Sequence, residues 1–366
     1  MTDDIPAAPA AIPDALQSIP QPGAKPINVA IQGGGAHGAF TWGVLDRLLE
    51  DGRLEIEGLS GTSAGSMNAV VYAFGKMTGG ADGARRLLEE FWRQVSHAGS
   101  VFSPIGASAW GHWWTGSWNL DQVPAYRAFA AMTGMLSPYE FNPMGFDPLR
   151  DIVGRLVDFE ALRQCRNTRL FVSATNVRTG RVRVFRGQEV TLDAVMASAC
   201  LPFLSKAVEI EGESYWDGGY VGNPSLWPFF YYTRTEDLLV LHVNPIERDT
   251  VPRTAPEIDN RTNEITFNAS LIAELRAIRF VKRLVREDWL KDEHRHRLRD
   301  IRMHAIRADK ELMDLSVASK FNPDWAFLCD LRDRGRRAAG EWLDRHWNAV
   351  GRADTVDLAR EYLDRY

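Results

Sequence analysis

Three short stretches of this sequence carry residue types that could do chemistry together. The first is Gly61-Thr62-Ser63-Ala64-Gly65, a Gly-x-Ser-x-Gly pattern. A serine hydroxyl attacks a carbonyl only when a base takes its proton, and this pattern exposes the hydroxyl on a strained strand-to-helix turn. Gly61 and Gly65, two residues to either side, relieve crowding there. The second is Gly33-Gly34-Gly35-Ala36-His37-Gly38. Backbone N–H groups at the start of a helix bind anions. With Ser63 beside the loop, the anion is best taken as the oxyanion of a tetrahedral acyl intermediate, with Gly34 and Gly35 as donors. The third is Asp217-Gly218-Gly219, an acid at a strand end followed by residues that permit a tight turn.

The surrounding elements must position these residues. Residues 28–32 are predicted to be a strand. Phe40, Val44, Leu45, Leu48 and Leu49 recur at helical spacing, and Gly52 is a C-cap stop. Leu54–Ser60 reads as a second strand, so the unit is a right-handed βαβ with parallel strands. Residues 79–96 read as a glycine-broken loop and then a helix. Residues 148–163 look helical, Leu170–Asn176 and Val182–Phe185 look like strands, and Thr191–Ala199 is a short helix. Val208–Ile210 and Ser214–Trp216 form a hairpin, and Leu238–Val243 is a buried-type strand. Ile301–Ile306 is a last strand, with helices over 323–348 and 353–364. The expected fold is α/β, three-layer α/β/α, with a mostly parallel central sheet and a helical C-terminal segment. The expected organisation is a disordered Pro/Ala-rich tail over 1–26, an α/β domain over 27–245, and a mainly helical extension over 246–366 packed on it.

Two stretches carry a choice of readings. Residues 97–146 crowd Trp110, Trp113, Trp114 and Trp118 with Phe102, Phe129, Met132, Met135, Leu136, Tyr139 and Phe141, and no regular period survives. This insert is either core packing or an acyl-chain pocket or membrane-facing lid. The helix from Ile265 to Trp289 sets Leu271, Leu275, Ile278 and Val285 against Arg276, Arg279, Lys282, Arg283 and Arg286. Its basic side is a solvated face or a contact with anionic membrane.

Composition narrows the function classes. The 366 residues are 45% hydrophobic and 25% charged, with a formal net charge of -5. That balance suits a soluble globular protein and argues against nucleic acid as partner. Cys165, Cys200 and Cys329 form no C-x-x-C, which argues against a zinc site and fits a reducing compartment. There is no apolar run long enough to span a membrane and no secretory signal pattern. The expected location is cytoplasmic, with peripheral membrane contact a possibility. No cofactor or metal is called for, and oligomeric state is left open.

The loop also satisfies Gly33-x-Gly35-x-x-Gly38, the dinucleotide fingerprint. That reading wants an acid at the end of the next strand, which ends instead in Leu59-Ser60, although Glu55 and Glu57 lie nearby. For the base that activates Ser63, a Ser-Asp-His order leaves His242, His294, His296 and His304 after Asp217. None has a distinctive setting: His242 lies in an apolar strand, and His294 and His296 lie in a charged helix.

Together, Gly33-Gly34-Gly35-Ala36-His37-Gly38, Gly61-Thr62-Ser63-Ala64-Gly65 and Asp217-Gly218-Gly219 resemble the patatin-like phospholipase family. Ser173-Ala174-Thr175-Asn176 with Thr179-Gly180, Ala197-Ser198-Ala199-Cys200-Leu201-Pro202 and Asn223-x-Ser225 extend the resemblance over roughly residues 27–245. It implies a Ser63–Asp217 dyad, with Asp217 as general base, an oxyanion hole at Gly34 and Gly35, and hydrolysis of lipid acyl esters such as phospholipids without a metal. A thioesterase, or an esterase for another hydrophobic ester, is the neighbouring alternative; a nucleotide-binding or non-catalytic interaction protein is the alternative of another class. One position departs from the family pattern: His37 stands where a Lys or Arg is usual. An exposed aspartate is also a poor base for serine. Asp217 must therefore be partly desolvated, with Tyr215, Trp216 and Tyr220 as candidate surroundings.

Overall fold

The computed structural model describes residues 23–102, 117–287, 289 and 298–363. Trp110, Trp113, Trp114, His294, His296 and most of the tail lie outside them. Eight strands form one sheet: β1 (Lys25–Ile31), β2 (Leu54–Gly61), β3 (Arg169–Asn176), β4 (Val182–Arg186), β5 (Val208–Ile210), β6 (Glu213–Asp217), β7 (Asp237–His242) and β8 (Arg302–Arg307). Their order is β5-β6-β3-β2-β1-β7-β8, with β4 also paired to β3. The five strands β3, β2, β1, β7 and β8 are parallel, and the β4, β5 and β6 pairings are antiparallel. β1 starts at Lys25, so the first strand takes in two residues expected in the tail.

The helices flank the sheet: α1 (Gly38–Asp51), α2 (Ala64–Phe102), α3 (Pro124–Met135), α4 (Pro148–Leu156), α5 (Leu192–Ser198), α6 (Trp227–Tyr232), α7 (Ala255–Arg286) and α8 (Trp325–His346). Alternation along the strands feeds two cores. Leu239 and Leu241 of β7 join one with Ile27, Val29 and Ile31, beneath α1, α2 and α8. Leu238 and Val240 join the other with Ala30, Leu271, Leu275 and Ile278, beneath α7. A sheet with both faces covered is what a central parallel sheet requires.

Several elements differ from expectation in extent. The loop predicted from residue 79 is only a break at Gly79 and Gly80 within α2. Residues 148–163 split into α4 and a short turn at Phe159–Leu162. The closing helix over 353–364 is one turn, Leu358–Glu361. The insert contains α3, whose Pro, Gly and Met residues obscure its period. No residue of α3 is buried, whereas Trp118 is in the core. α7 begins ten residues before Ile265, at a Thr254/Glu257 capping box. Its basic side is largely paired within the protein: Lys282 and Arg286 both engage Asp300 and Asp354, and Arg283 engages Glu287.

The positions of the three motifs follow from register. β2 and β6 share one edge of β3, because β4 occupies the other from Phe171 to Thr175. β2 runs parallel to β3 and stops with Gly61 opposite Val172. β6 runs antiparallel and stops with Asp217 opposite Ala174. Their C-terminal ends therefore point at each other across Ser173, two strand residues or about 7 Å apart. β1 and β2 end level, Ile31 opposite Gly61, which sets the glycine loop beside the serine turn.

The C-terminal segment is integral to this arrangement. It supplies β8, and α8 crosses α1 so closely that a Cβ on Gly43 would overlap the Arg332 carbonyl and one on Gly335 the Phe40 carbonyl. Gly→Ala in a free helix interior gains about 1 kcal/mol. Forced overlap with a packed backbone costs about 1–3 kcal/mol or more, so the clash wins. Gly43→Ala is expected to lower the thermal midpoint by several degrees in a melting scan; a raised midpoint would show that α1 and α8 are not in contact.

Candidate active site

Ser63 sits at the turn between β2 and α2 with φ 55°, a left-handed conformation unusual for a residue with a side chain. The turn closes because its flanks are glycines: a Cβ on Gly61 would lie 2.5 Å from the Gly65 carbonyl, and one on Gly65 2.5 Å from the Ile31 carbonyl. The turn is fixed by three bonds. Ser63 N–H donates to Ser198 Oγ at 2.9 Å, Thr62 Oγ1 to the Gly222 carbonyl at 2.6 Å, and Ser66 Oγ to the Ser63 carbonyl at 2.6 Å. Ser63 itself is half-buried.

The glycine loop lies directly against this turn. A Cβ on Gly33 would be 2.7 Å from Ser63 Cβ, and one on Gly38 2.9 Å from Ala64 Cβ. Gly33 is pinned through both polar atoms. Its N–H donates to Asn223 Oδ1 at 2.7 Å, and its carbonyl accepts from Asn244 Nδ2 at 2.8 Å. Gln32 braces the same point, accepting from Val243 N–H and Asn244 N–H at 3.0 Å each. Among the described residues, Gly34 and Gly35 N–H have no acceptor. The loop runs into α1 while Ser63 begins α2, so two helix N-termini converge here and favour negative charge between them.

Asp217 is fully buried. Its Oδ1 accepts from Gly219 N–H at 2.7 Å, and its Oδ2 has no hydrogen-bond partner among the described residues. Burial pushes its carboxyl up to about 6; the Gly219 N–H, the Ser63 hydroxyl and the Lys320 charge each act in the opposite direction. Gly218 packs on the Ser173 carbonyl, and Gly219 against the Phe267 ring. Of the expected surroundings, Tyr220 belongs here: its ring packs tilted against Phe267, 5.5 Å between centroids, and Asp217 raises its hydroxyl pKa after burial does. Tyr215 packs on Phe185 instead, and alternation along β6 sends Trp216 to the opposite face.

The histidines lie in other settings. His242 Nε2 lies 3.1 Å from Asn268 Oδ1, and His304 bridges Thr355 and Asp237. His37 is buried beside Ser319 Oγ at 2.7 Å. Burial first, then Lys320, Arg248 and Arg334, hold it well below its ordinary value, so it is neutral. The two acids near the fingerprint loop are engaged elsewhere: Glu55 by Lys76, Glu57 by the Arg234 and Thr235 N–H groups. Neither is placed to hold a ribose.

Sequence reasoning missed Lys320, Phe267, Gln32 and Asn244. The last two had a readable signal: polar residues at the carboxyl ends of apolar parallel strands, where such sheets bind ligands. Lys320 and Phe267 had none, since both arrive from the C-terminal half.

The sequence matches the family model described as patatin-like phospholipase over residues 29–230. The chain belongs to that family, and in general terms it is a lipid hydrolase. Among solved structures it is similar to VipD from Legionella pneumophila, at 16% identity and TM-score 0.42, covering 93% of this chain and 73% of that one. It is also similar to full-length ExoU from the type III secretion system of Pseudomonas aeruginosa, in complex with SpcU. There the identity is 13% and the TM-score 0.29, covering 87% of this chain and 53% of that one. No curated protein matches. Family membership rests on the family model. No described helix is long and apolar enough to cross a membrane.

Folding raises the Asp217 carboxyl from 3.8 to about 6. The folded protein therefore holds this proton more tightly than the unfolded chain. The group's contribution to stability is full below pH 3.8 and is lost as pH rises through about 6. By pH 8 the loss is about 3 kcal/mol. Asp217→Asn, which mimics the neutral form, is expected to melt a few degrees above the wild type at pH 8, with the gap closing towards pH 4. A variant that melts lower at pH 8 would contradict the burial of a charged Asp217.

Proposed function

We propose that this protein hydrolyses acyl esters of lipids with a Ser63–Asp217 dyad. The observation that carries the reading is a strained serine facing a buried carboxylate whose Oδ2 lacks a hydrogen-bond partner, with unoccupied glycine-loop amides beside them. Ser63 Oγ attacks the ester carbonyl carbon as its proton passes to Asp217 Oδ2. The carbonyl oxygen becomes an oxyanion held by Gly34 and Gly35 N–H. Collapse breaks the ester bond, and the leaving alkoxide takes the proton back from Asp217. Water then attacks the acyl-enzyme, gives its proton to Asp217, and frees the fatty acid as Ser63 Oγ regains a proton. A carboxyl near pKa 6 is a far better base for this work than an exposed aspartate. Membership of the patatin-like phospholipase family supports the dyad, the loop donors and the ester class.

The insert supports a lipid-facing role. Its near end packs through Tyr126 on Phe321, 6.2 Å between rings, beside the glycine loop. Its far end ties to the segment after α5, where Tyr139 Oη accepts from Ala207 N–H at 3.3 Å and Lys206 Nζ donates to the Pro143 carbonyl at 2.6 Å. It thus joins segments from the two sides of the site and exposes Met135, Met144 and nearby Phe203 by 85%, 94% and 65%. Apolar side chains this open suit an interface with acyl chains.

Ser63→Ala and Asp217→Asn are each expected to lower turnover of a phospholipid or p-nitrophenyl acyl ester at least a thousandfold without loss of fold. Full activity in either folded variant would overturn the dyad. The double variant Met144→Ser/Phe203→Ser is expected to bind phosphatidylcholine vesicles at least fivefold more weakly in co-sedimentation, with hydrolysis of a short soluble ester unchanged. Unchanged sedimentation would remove the insert's lipid-facing role.

A further inference from the structure

The mechanism leaves a half-buried cation beside the site unused. Lys320 lies on the short turn Val317–Phe321, which packs on the glycine loop: a Cβ on Gly35 would lie 2.5 Å from the Lys320 carbonyl. Its ammonium donates to Asn244 Oδ1 at 2.8 Å and to Asn263 Oδ1 at 3.1 Å. Asn244 in turn holds the Gly33 carbonyl. The ammonium also lies over the Phe267 ring, 5.4 Å from its centroid, and that ring packs on Gly219, which bonds Asp217. Lys320 therefore reaches the loop through one amide and the Asp217 turn across one ring.

Withdrawing an ammonium from water is costly unless its charge is paired. Among the described residues, the hydrogen-bond partners of Lys320 are two neutral amides. The acid that raises its pKa most, Glu264, is bonded to Arg248 and Arg261. His37, on the same loop, is neutral and supplies no charge.

We propose that Lys320 is the positioning cation of this active site: through Asn244 it fixes the glycine loop, and its charge stabilises the negative charge that moves between Asp217 and the oxyanion. This rests on the dyad reading above. The charged and titratable groups facing Lys320 are Glu264 and Asp217, which raise its pKa, and Arg248, which with burial lowers it; neutral His37 adjoins. Those facing Asp217 are Lys320, Ser63, Cys200 and Tyr220, the last two held protonated by burial. Burial dominates at Lys320 and brings it down to about 8. The cation is present at neutral pH and lost in mild alkali.

The test is the pH profile of kcat/KM for a p-nitrophenyl acyl ester in the full chain, with Ser63→Ala as control. The wild type is expected to give a bell with limbs near 6 and 8. Lys320→Arg keeps its charge in alkali and should lose the alkaline limb while keeping the acid one. Lys320→Met should lose the alkaline limb, shift the acid limb up by about half a unit or more, and fall about tenfold in kcat/KM at pH 7. A purely structural lysine would move none of the limbs. A wild-type profile flat to pH 9.5, or a folded Lys320→Met with both wild-type limbs, would overturn the proposal. If Lys320→Met fails to fold, the wild-type limb and its loss in Lys320→Arg decide. Turnover that survives in Ser63→Ala would instead overturn the dyad reading, a separate result.

Discussion

The geometry of this site depends on two strands meeting end to end along one edge of a third. β2 and β6 approach from opposite directions on β3 and stop at Val172 and Ala174. The residues that follow must turn away from the sheet at the same place. One chain end delivers Ser63 and the other delivers Asp217. Mixing an antiparallel β6 into a parallel sheet is what makes this possible, because in a purely parallel sheet successive strands would lie beside each other, not end to end. The small residues follow from the same constraint: Gly61, Gly65, Gly33 and Gly218 stand where backbones pass too close for a side chain.

The site stores unfavourable energy that the rest of the fold offsets. Ser63 holds a left-handed backbone, and Asp217 is a buried carboxylate with one oxygen lacking a hydrogen-bond partner. Each costs on the order of 1–3 kcal/mol. The two apolar cores hold them in place, and so does a shell of amide side chains: Asn223 and Asn244 grip Gly33 from two sides, Gln32 joins β1 to the end of β7, and Asn268 closes the ring. These amides keep the loop from relaxing onto itself, so Gly34 and Gly35 N–H stay without an acceptor among the described residues. The C-terminal segment contributes Lys320, Phe267 and α8 to the same end, which makes the extension part of the site's frame.

Much of this was legible in the residues. The strands and the βαβ unit followed from periodicity, since parallel strands buried on both faces read as continuous apolar runs, as Leu238–Val243 does. The glycine loop and the serine turn were legible because their spacing is dictated by local sterics. What stayed hidden came from afar. Phe267 and Lys320 lie fifty and about one hundred residues beyond Asp217 and carry no local pattern, so only tertiary packing reveals them. Helix α3 was missed because none of its residues is fully buried and only Tyr126 and Phe129 pack inward, so its apolar stripe is too short to stand out among Pro, Gly and Met residues. The charged side of α7 read as a solvated face or a membrane contact, since its acidic partners Asp300 and Asp354 lie outside the helix.

On the proposed mechanism Asp217, as the carboxylate, activates Ser63. The most direct measurement is the rate at which a fluorophosphonate labels Ser63 as a function of pH, followed by mass spectrometry of the Ser63 peptide in the wild type and in Asp217→Asn. Labelling is expected to rise about tenfold per pH unit below a midpoint near 6 and to level between there and about 8, and to be at least a hundredfold slower and without the lower midpoint in Asp217→Asn. Labelling of Ser63 at the wild-type rate in folded Asp217→Asn would contradict it.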